Sequence, residues 1–289
     1  MSDPTPAPQQ RRSPGRNLPA AISVGVSLIA LVVVTLTWFT WGFVLLVAVA
    51  LSLAVAELTW AMRRAGMQPA MVPLIIGTAA MTILTYAAAT WPGTPMPWPS
   101  VLLTCLGATV LAALIARLRL GEEHFVRDTA ASMFIVGYVA VLGSFVALLL
   151  AGEHGTARMV TFLLCVVASD TGGYLVGVLF GRTPLAPTLS PKKTWEGLAG
   201  SLALSVAAGI ALCIWALGVA WWVGLILGVV VVFFGTSGDL IESAIKRDVG
   251  LKDMSNVLPG HGGVMDRLDS MLVAVAPTWL VMYLLVPGG

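Results

Sequence analysis

The chain has 289 residues, 58% of them hydrophobic and only 10% charged, with a net charge of +2. Soluble domains carry roughly 25% charged residues, so this composition excludes a soluble globular protein. It describes a polytopic all-α membrane protein, because backbone without internal partners cannot face lipid. A charge this close to neutral, with no basic-aromatic patch, gives no footing for nucleic acid as a partner.

Residues 1–17 are rich in Pro, Gln, Ser and Arg and read as a disordered cytoplasmic tail. Arg11, Arg12 and Arg16 precede the first apolar run, which reads as a retained signal anchor. Runs long enough to span, about 17–25 residues each, fall near 18–38, 42–62, 69–90, 99–116, 130–151, 158–181, 195–217, 220–238 and 266–286. That makes nine, with a tight connection at residues 39–41 that could hide a re-entrant pair. If the N-terminus is inside, fifteen of the sixteen Lys and Arg fall on the cytoplasmic side, and Arg158 alone lies outside. The loop at 91–99 has four prolines and no charge, as an external loop should. The expected location is therefore the cell membrane. Cys105, Cys165 and Cys213 each sit inside an apolar run, lack metal-ligand spacing and read as packing residues.

The first five spans, within residues 18–157, are nearly featureless. Glu57 lies shortly before Arg63 and Arg64 and reads as a structural residue reaching toward that interface. Polar content rises from residue 158 onward, and 158–289 is the expected catalytic region. Ser169-Asp170-Thr171-Gly172-Gly173-Tyr174 interrupts the sixth span near its middle. An acid at mid-span should face a wet cavity or a cation, so Asp170 is a candidate functional residue. Gly173, Gly177 and Gly181 repeat every four residues, as do Gly197, Ser201, Ser205 and Gly209. Both series read as helix packing. Between them stands Ser190-Pro191-Lys192-Lys193-Thr194-Trp195-Glu196-Gly197. Ser190 and Pro191 suit an N-cap and a first turn, so a helix is expected to start there, with two lysines making an anion site.

Residues 235–270 hold six of the fourteen acidic side chains and four of the sixteen basic ones. On a helix, Asp239, Ser243 and Lys246 share a face with Glu242 beside it, and Asp266 and Asp269 share a face of the next. Pro259 to Gly263 turns the chain between the two. Carboxylate oxygens suit a hard cation such as Mg²⁺, while lysine, arginine and free backbone N–H groups suit phosphate. No Ser-His-Asp or Cys-His arrangement is evident. The inventory points to phosphoryl or nucleotidyl transfer, which depends on positioning and charge neutralisation. A solvated loop would account for the charges, but not for acids abutting apolar runs on both sides.

Ser243-Ala-Ile-Lys246-Arg247, then Lys252-Asp253, then Leu258-Pro259-Gly260-His261-Gly262-Gly263-Val264-Met265-Asp266-Arg267-Leu268-Asp269 resembles the signature of phosphatidate cytidylyltransferases (CDP-diacylglycerol synthases), without a mismatch. SDTGGY and SPKKT-x-E-G resemble two further elements of that family. Pro184 and Thr188 depart from it, standing where lysines are common in such proteins. The resemblance implies CTP and phosphatidate as substrates, Mg²⁺ as cofactor, a second, monovalent cation as an open addition, and a homodimer in the lipid membrane. On that reading Asp239, Asp266 and Asp269 are metal ligands and catalytic together with Lys246. Arg247, Lys252 and Arg267 neutralise the triphosphate and the departing pyrophosphate. Asp170, Ser190, Lys192, Lys193, Thr194, Glu196, Ser243, Gly262 and Gly263 contribute to substrate binding. His261 either donates to a phosphate oxygen or packs beside the two glycines that make the turn.

The nearest enzymatic rival, a CDP-alcohol phosphotransferase, needs an Asp-Gly-x-x-Ala-Arg motif that this chain lacks. A relative acting on another lipid phosphate is not separable by motif. A transporter would want an internal repeat and a two-sided row of acids, whereas here the acids gather on one side. The topology is testable directly. A Ser255→Cys variant should react only with a thiol reagent that reaches the cytoplasm; labelling by an impermeant external reagent would overturn the nine-span reading.

Overall fold

A computed structural model describes residues 18–251, 254–255 and 262–288. The expectations for residues 1–17, Lys252 and His261 therefore lie outside the described residues. The helices run α1 (Leu18–Trp38), α2 (Thr40–Arg64), α3 (Met71–Thr90), α4 (Trp98–Leu118), α5 (Phe125–Ile135), α6 (Leu142–Ala151), α7 (Gly155–Phe180), α8 (Trp195–Trp215), α9 (Trp221–Asp248) and α10 (Met265–Leu285). A π-helical segment, Val136–Val141, joins α5 and α6 into one rod, Phe125–Ala151. Among the described residues, eight rods from α2 onward are long and apolar enough to cross a membrane. The protein is thus an all-α, multi-pass membrane protein. α1 matches the first expected span, and its apolar described stretch, Gly25–Trp38, is shorter than a crossing length. Between α1 and α2 only Phe39 is non-helical, and its φ of −147° breaks the two rods without a re-entrant pair.

The SPKKT stretch differs from its expected form. Ser190–Thr194 is a strand, β2, paired antiparallel with β1 (Pro184–Ala186). The helix starts at Trp195 instead, capped by Thr194, whose hydroxyl accepts from the Gly197 N–H at 3.1 Å. Pro191 suits a strand edge as well as a first helical turn. The carboxylate of Glu196 decides for the hairpin, accepting from the N–H groups of Arg182 and Thr183 and from the Thr183 hydroxyl at 2.9–3.2 Å.

Small residues set the packing of the C-terminal half. A Cβ on Gly172 of α7 would collide with the carbonyl of Gly200 of α8, and one on Gly200 with that of Gly172. Gly209 of α8 and Gly224 of α9 meet in the same way, and Gly238 of α9 rests against the Asp269 carbonyl of α10. The Ser201 hydroxyl donates to the Ser169 carbonyl at 2.7 Å, and that of Ser205 to the Cys165 carbonyl at 3.1 Å. The four-residue spacing is therefore packing, as expected, with hydrogen bonds across the seam.

In the N-terminal half, α2, α3 and the α5–α6 rod share a core of Leu51, Leu58, Met81 and Ile135. One end of the bundle is laced by polar contacts. The buried Arg117 and Asp128 pair at 3.0 Å, Arg127 reaches the Gly66 carbonyl, and the Ala70 N–H donates to the Ser132 hydroxyl at 3.1 Å. At the other end Arg158 donates to the carbonyls of Val286 and Pro287 at 3.3 and 2.8 Å. α9 has 28 residues, about 42 Å at 1.5 Å per residue, against roughly 30 Å of hydrocarbon. Its last turns therefore leave the lipid, and Asp239 falls near the boundary.

The glycine seam makes a graded prediction. Gly200→Ala should destabilise the protein by about 1–3 kcal/mol, as overpacking does. Gly107→Ala, whose Cβ would meet no atom within 4 Å, should not. Thermal unfolding in detergent reads the difference, and equal midpoints would contradict the close approach of α7 and α8.

Candidate active site

At the laced end, α7, the hairpin, α8 and α9 enclose a cavity of about 360 Å³. Ser190, Lys192, Lys193 and Thr194 line its hairpin side, Asp170 its α7 wall and Asp239 its α9 wall. Asp170 stands ten residues before the end of α7, about 15 Å of helix rise. The polar cavity therefore carries charge well below the membrane surface. Lys193 forms an ion pair with Asp239, so the hairpin is pinned to α9 through this contact.

From Asp239 the carboxylates continue as a row. The Asp269 carboxyl interacts directly with those of Asp239 and Glu242, and Glu242 in turn with Asp266. Asp170 feels Asp239 from the other side. The close seat of Gly238 on α10 is what brings α9 and α10 near enough for this. Lys246 closes the far end, pairing with Glu242 one turn earlier and with Asp266 at 3.0 Å. Asp266 also accepts from the N–H groups of Gly263 at 2.9 Å and Met254 at 3.3 Å. Gly262 has a φ of +84°, which a side chain would strain.

The arrangement thus joins most of the sequence-predicted residues. Asp170, Ser190, Lys192, Lys193, Thr194 and Asp239 share one cavity, Asp269 links it to Glu242, and Lys246 and Asp266 complete the row. Glu196 is engaged by the hairpin backbone instead. Ser243 is half-buried on α9, and Arg247 and Arg267 are exposed at the α9 and α10 ends.

Among the described residues, three of the five carboxylates pair directly with two lysines. Two like charges about 4 Å apart at an effective dielectric of ~20 repel by roughly 4 kcal/mol, so neighbouring carboxyls in the row are all ionised only where cations lie between them. One oxygen of the buried Glu242 has no hydrogen-bond partner among the described residues, which is a donor left over for such an ion. The Asp239–Asp269 pair supplies the hard oxygen ligands that Mg²⁺ takes. Among the described residues no three acidic, His or Cys side chains converge on one point as they stand. Asp239 is held by Lys193, and Asp266 is turned to Lys246 and two backbone N–H groups.

A model of the Cytidylyltransferase family matches residues 19–285. The chain belongs to that family. It is 40% identical over 288 residues to the phosphatidate cytidylyltransferase of Mycobacterium leprae, covering 94% of this chain and 89% of the relative. It is 38% identical over 294 residues to that of Mycobacterium tuberculosis H37Rv, covering 97% and 86%. With the enzyme of that name from Helicobacter pylori 26695 it shares 33% over 204 residues, 70% and 71% of the two chains. Family membership thus spans both halves of the fold, including the N-terminal helices that carry no recognisable motif.

Sequence reasoning undervalued two members of this site and missed a third. Glu242 was legible as an acid beside Lys246, but its burial was not. Glu57 reads from sequence as structural, yet its carboxylate meets the start of α10. Tyr138 carries no motif at all. It lies in the π-helical segment, a feature frequent at functional sites, and its buried hydroxyl has no hydrogen-bond partner among the described residues. Asp269, Glu242 and Asp239 are the charges nearest to it.

Proposed function

We propose that this member of the cytidylyltransferase family joins CTP and phosphatidate, giving CDP-diacylglycerol and pyrophosphate, at the cytoplasmic face of the cell membrane. The observation that carries the reading is the carboxylate row bordered by the lysine-bearing hairpin, at the membrane boundary and open to a polar cavity. The likeness to enzymes named phosphatidate cytidylyltransferase supplies the substrates, and the segregation of Lys and Arg to the site's end of the bundle supports its orientation.

The lipid phosphate, whose second pKa lies near ~6 by analogy with phosphorylated side chains, is largely dianionic at neutral pH and needs no strong general base. One of its oxygens forms a bond to the α-phosphorus of CTP while the bond from that phosphorus to the bridging oxygen breaks, and pyrophosphate leaves with the electron pair. The chief obstacle is bringing two anions together. Lys192 and Lys193 receive phosphate oxygens on the hairpin side, and Lys246, Arg247, Lys252 and Arg267 neutralise the triphosphate and the leaving pyrophosphate. Asp239 and Asp269, with Asp266, would hold Mg²⁺, which when bound supplies a Lewis acid and an oxygen clamp. Glu242 keeps Lys246 beside Asp266 rather than in solvent. Asp170 carries the polar path inward, where the lipid headgroup arrives from the inner leaflet.

Purified protein in detergent should convert labelled CTP and phosphatidate to CDP-diacylglycerol with Mg²⁺ and lose the activity in EDTA. Asp266→Asn and Asp269→Asn should each lower turnover by about 100-fold or more while the thermal midpoint stays put. Lys246→Ala should lower kcat/KM for CTP by at least about tenfold. Near-normal turnover in an Asp variant would remove that residue from the site, and an inactive wild type would remove the reading.

A further inference from the structure

We propose that Glu57, in the N-terminal half of the chain, is a positioning residue that fixes the start of α10 and with it the reactive carboxylates; this rests on the functional reading of Asp266 and Asp269 above. Glu57 lies on α2 and is 1% exposed. Both of its oxygens are committed to the segment that carries the signature. Oε1 accepts from the Ser255 hydroxyl at 2.5 Å and the Val264 N–H at 3.0 Å, and Oε2 from the Met265 N–H at 2.8 Å.

This is an N-cap delivered from another helix. The residue before α10 is Val264, in αR conformation and with no side-chain cap of its own. The first N–H groups of a helix have no intrahelical partner and favour a negative charge nearby. Glu57 supplies both the acceptors and the charge, and among the described residues no Lys or Arg forms an ion pair with it. The glycine turn is shaped around the same group. A Cβ on Gly263 would lie 2.8 Å from Glu57 Oε2, 3.0 Å from Asp266 Oδ2 and 3.1 Å from Ser255 Oγ.

Capping alone would be met by any good acceptor, so what sets Glu57 apart is where its partners lie. Its neighbours on α2, Val55, Leu58, Ala61 and Met62, are buried and apolar, and its hydrogen bonds run to the signature segment. What the carboxylate adds is a fixed depth and rotation of α10. Asp266 and Asp269 follow Met265 by one and four residues, so the bond to the Met265 N–H sets where both point. A misplacement of about 1 Å at a reactive group can cost up to ~100-fold in rate.

The test uses the full chain in nanodiscs. Glu57→Gln keeps the volume but turns an amide N–H₂ toward one of the N–H donors. It should lower kcat by about tenfold or more, with KM for CTP within about twofold and the thermal midpoint within a few degrees. Amide hydrogen exchange over residues 264–269 should quicken while that of α2 and α3 stays unchanged. Glu57→Asp, which keeps the charge, should recover part of kcat. Wild-type kcat in Glu57→Gln, or unchanged exchange at 264–269, overturns the proposal, as does a rate loss matched by a general fall in stability. Should Glu57→Gln fail to fold, Ser255→Ala removes one of the three donors and should still lower kcat by about two- to fivefold; no change would overturn the proposal. If wild type does not turn over CTP, the functional reading fails, and the exchange comparison still decides whether Glu57 anchors α10.

Discussion

Mutual repulsion within one row of carboxylates organises the active end of this molecule. Asp170, Asp239, Asp269, Glu242 and Asp266 succeed one another across three helices. Only Lys193 and Lys246 pair with them directly among the described residues. Such a row persists only if the fold forces it together and its like charges are relieved, by protons or by cations. The fold supplies the force through Gly238, which lets α9 lie against the α10 backbone, and through the Gly172–Gly200 and Gly209–Gly224 contacts that tie α7 and α8 alongside.

The two halves of the chain are tied together by polar contacts. The motif residues lie between the start of α7 and the end of α10, while the N-terminal helices are featureless only when read one at a time. Their polar side chains are few and directed. Glu57 meets the start of α10, and Arg117 with Asp128 braces the loops at the same end. The family model matches both halves, across residues 19–285.

Much of this was legible in the residues. Apolar runs located the rods, because lipid demands about 20 apolar residues whatever surrounds them. Where a rod outlasts the lipid, hydropathy falls silent: the run expected at 220–238 belongs to a helix that continues to Asp248. The hairpin was not legible, because Pro191 is compatible with a strand edge or a helix start, and the choice depends on Glu196 bonding backbone thirteen and fourteen residues earlier. Acidic residues could be grouped by helical face, but which lysine sits on which acid depends on how α9, α10 and the hairpin dock. The role of Glu57 was hidden for the same reason, its partners lying about 200 residues away.

On the proposed reading, the lysines paired with the row among the described residues leave it incomplete, and an added divalent cation completes it. Mn²⁺, standing in for Mg²⁺, reports this directly by electron paramagnetic resonance titration of the substrate-free protein in nanodiscs. Saturable binding to wild type, lost in an Asp239→Asn, Asp269→Asn double variant that keeps its thermal midpoint, is the result the account predicts. Equal binding by the double variant, or no saturable binding by an active wild type, would contradict it.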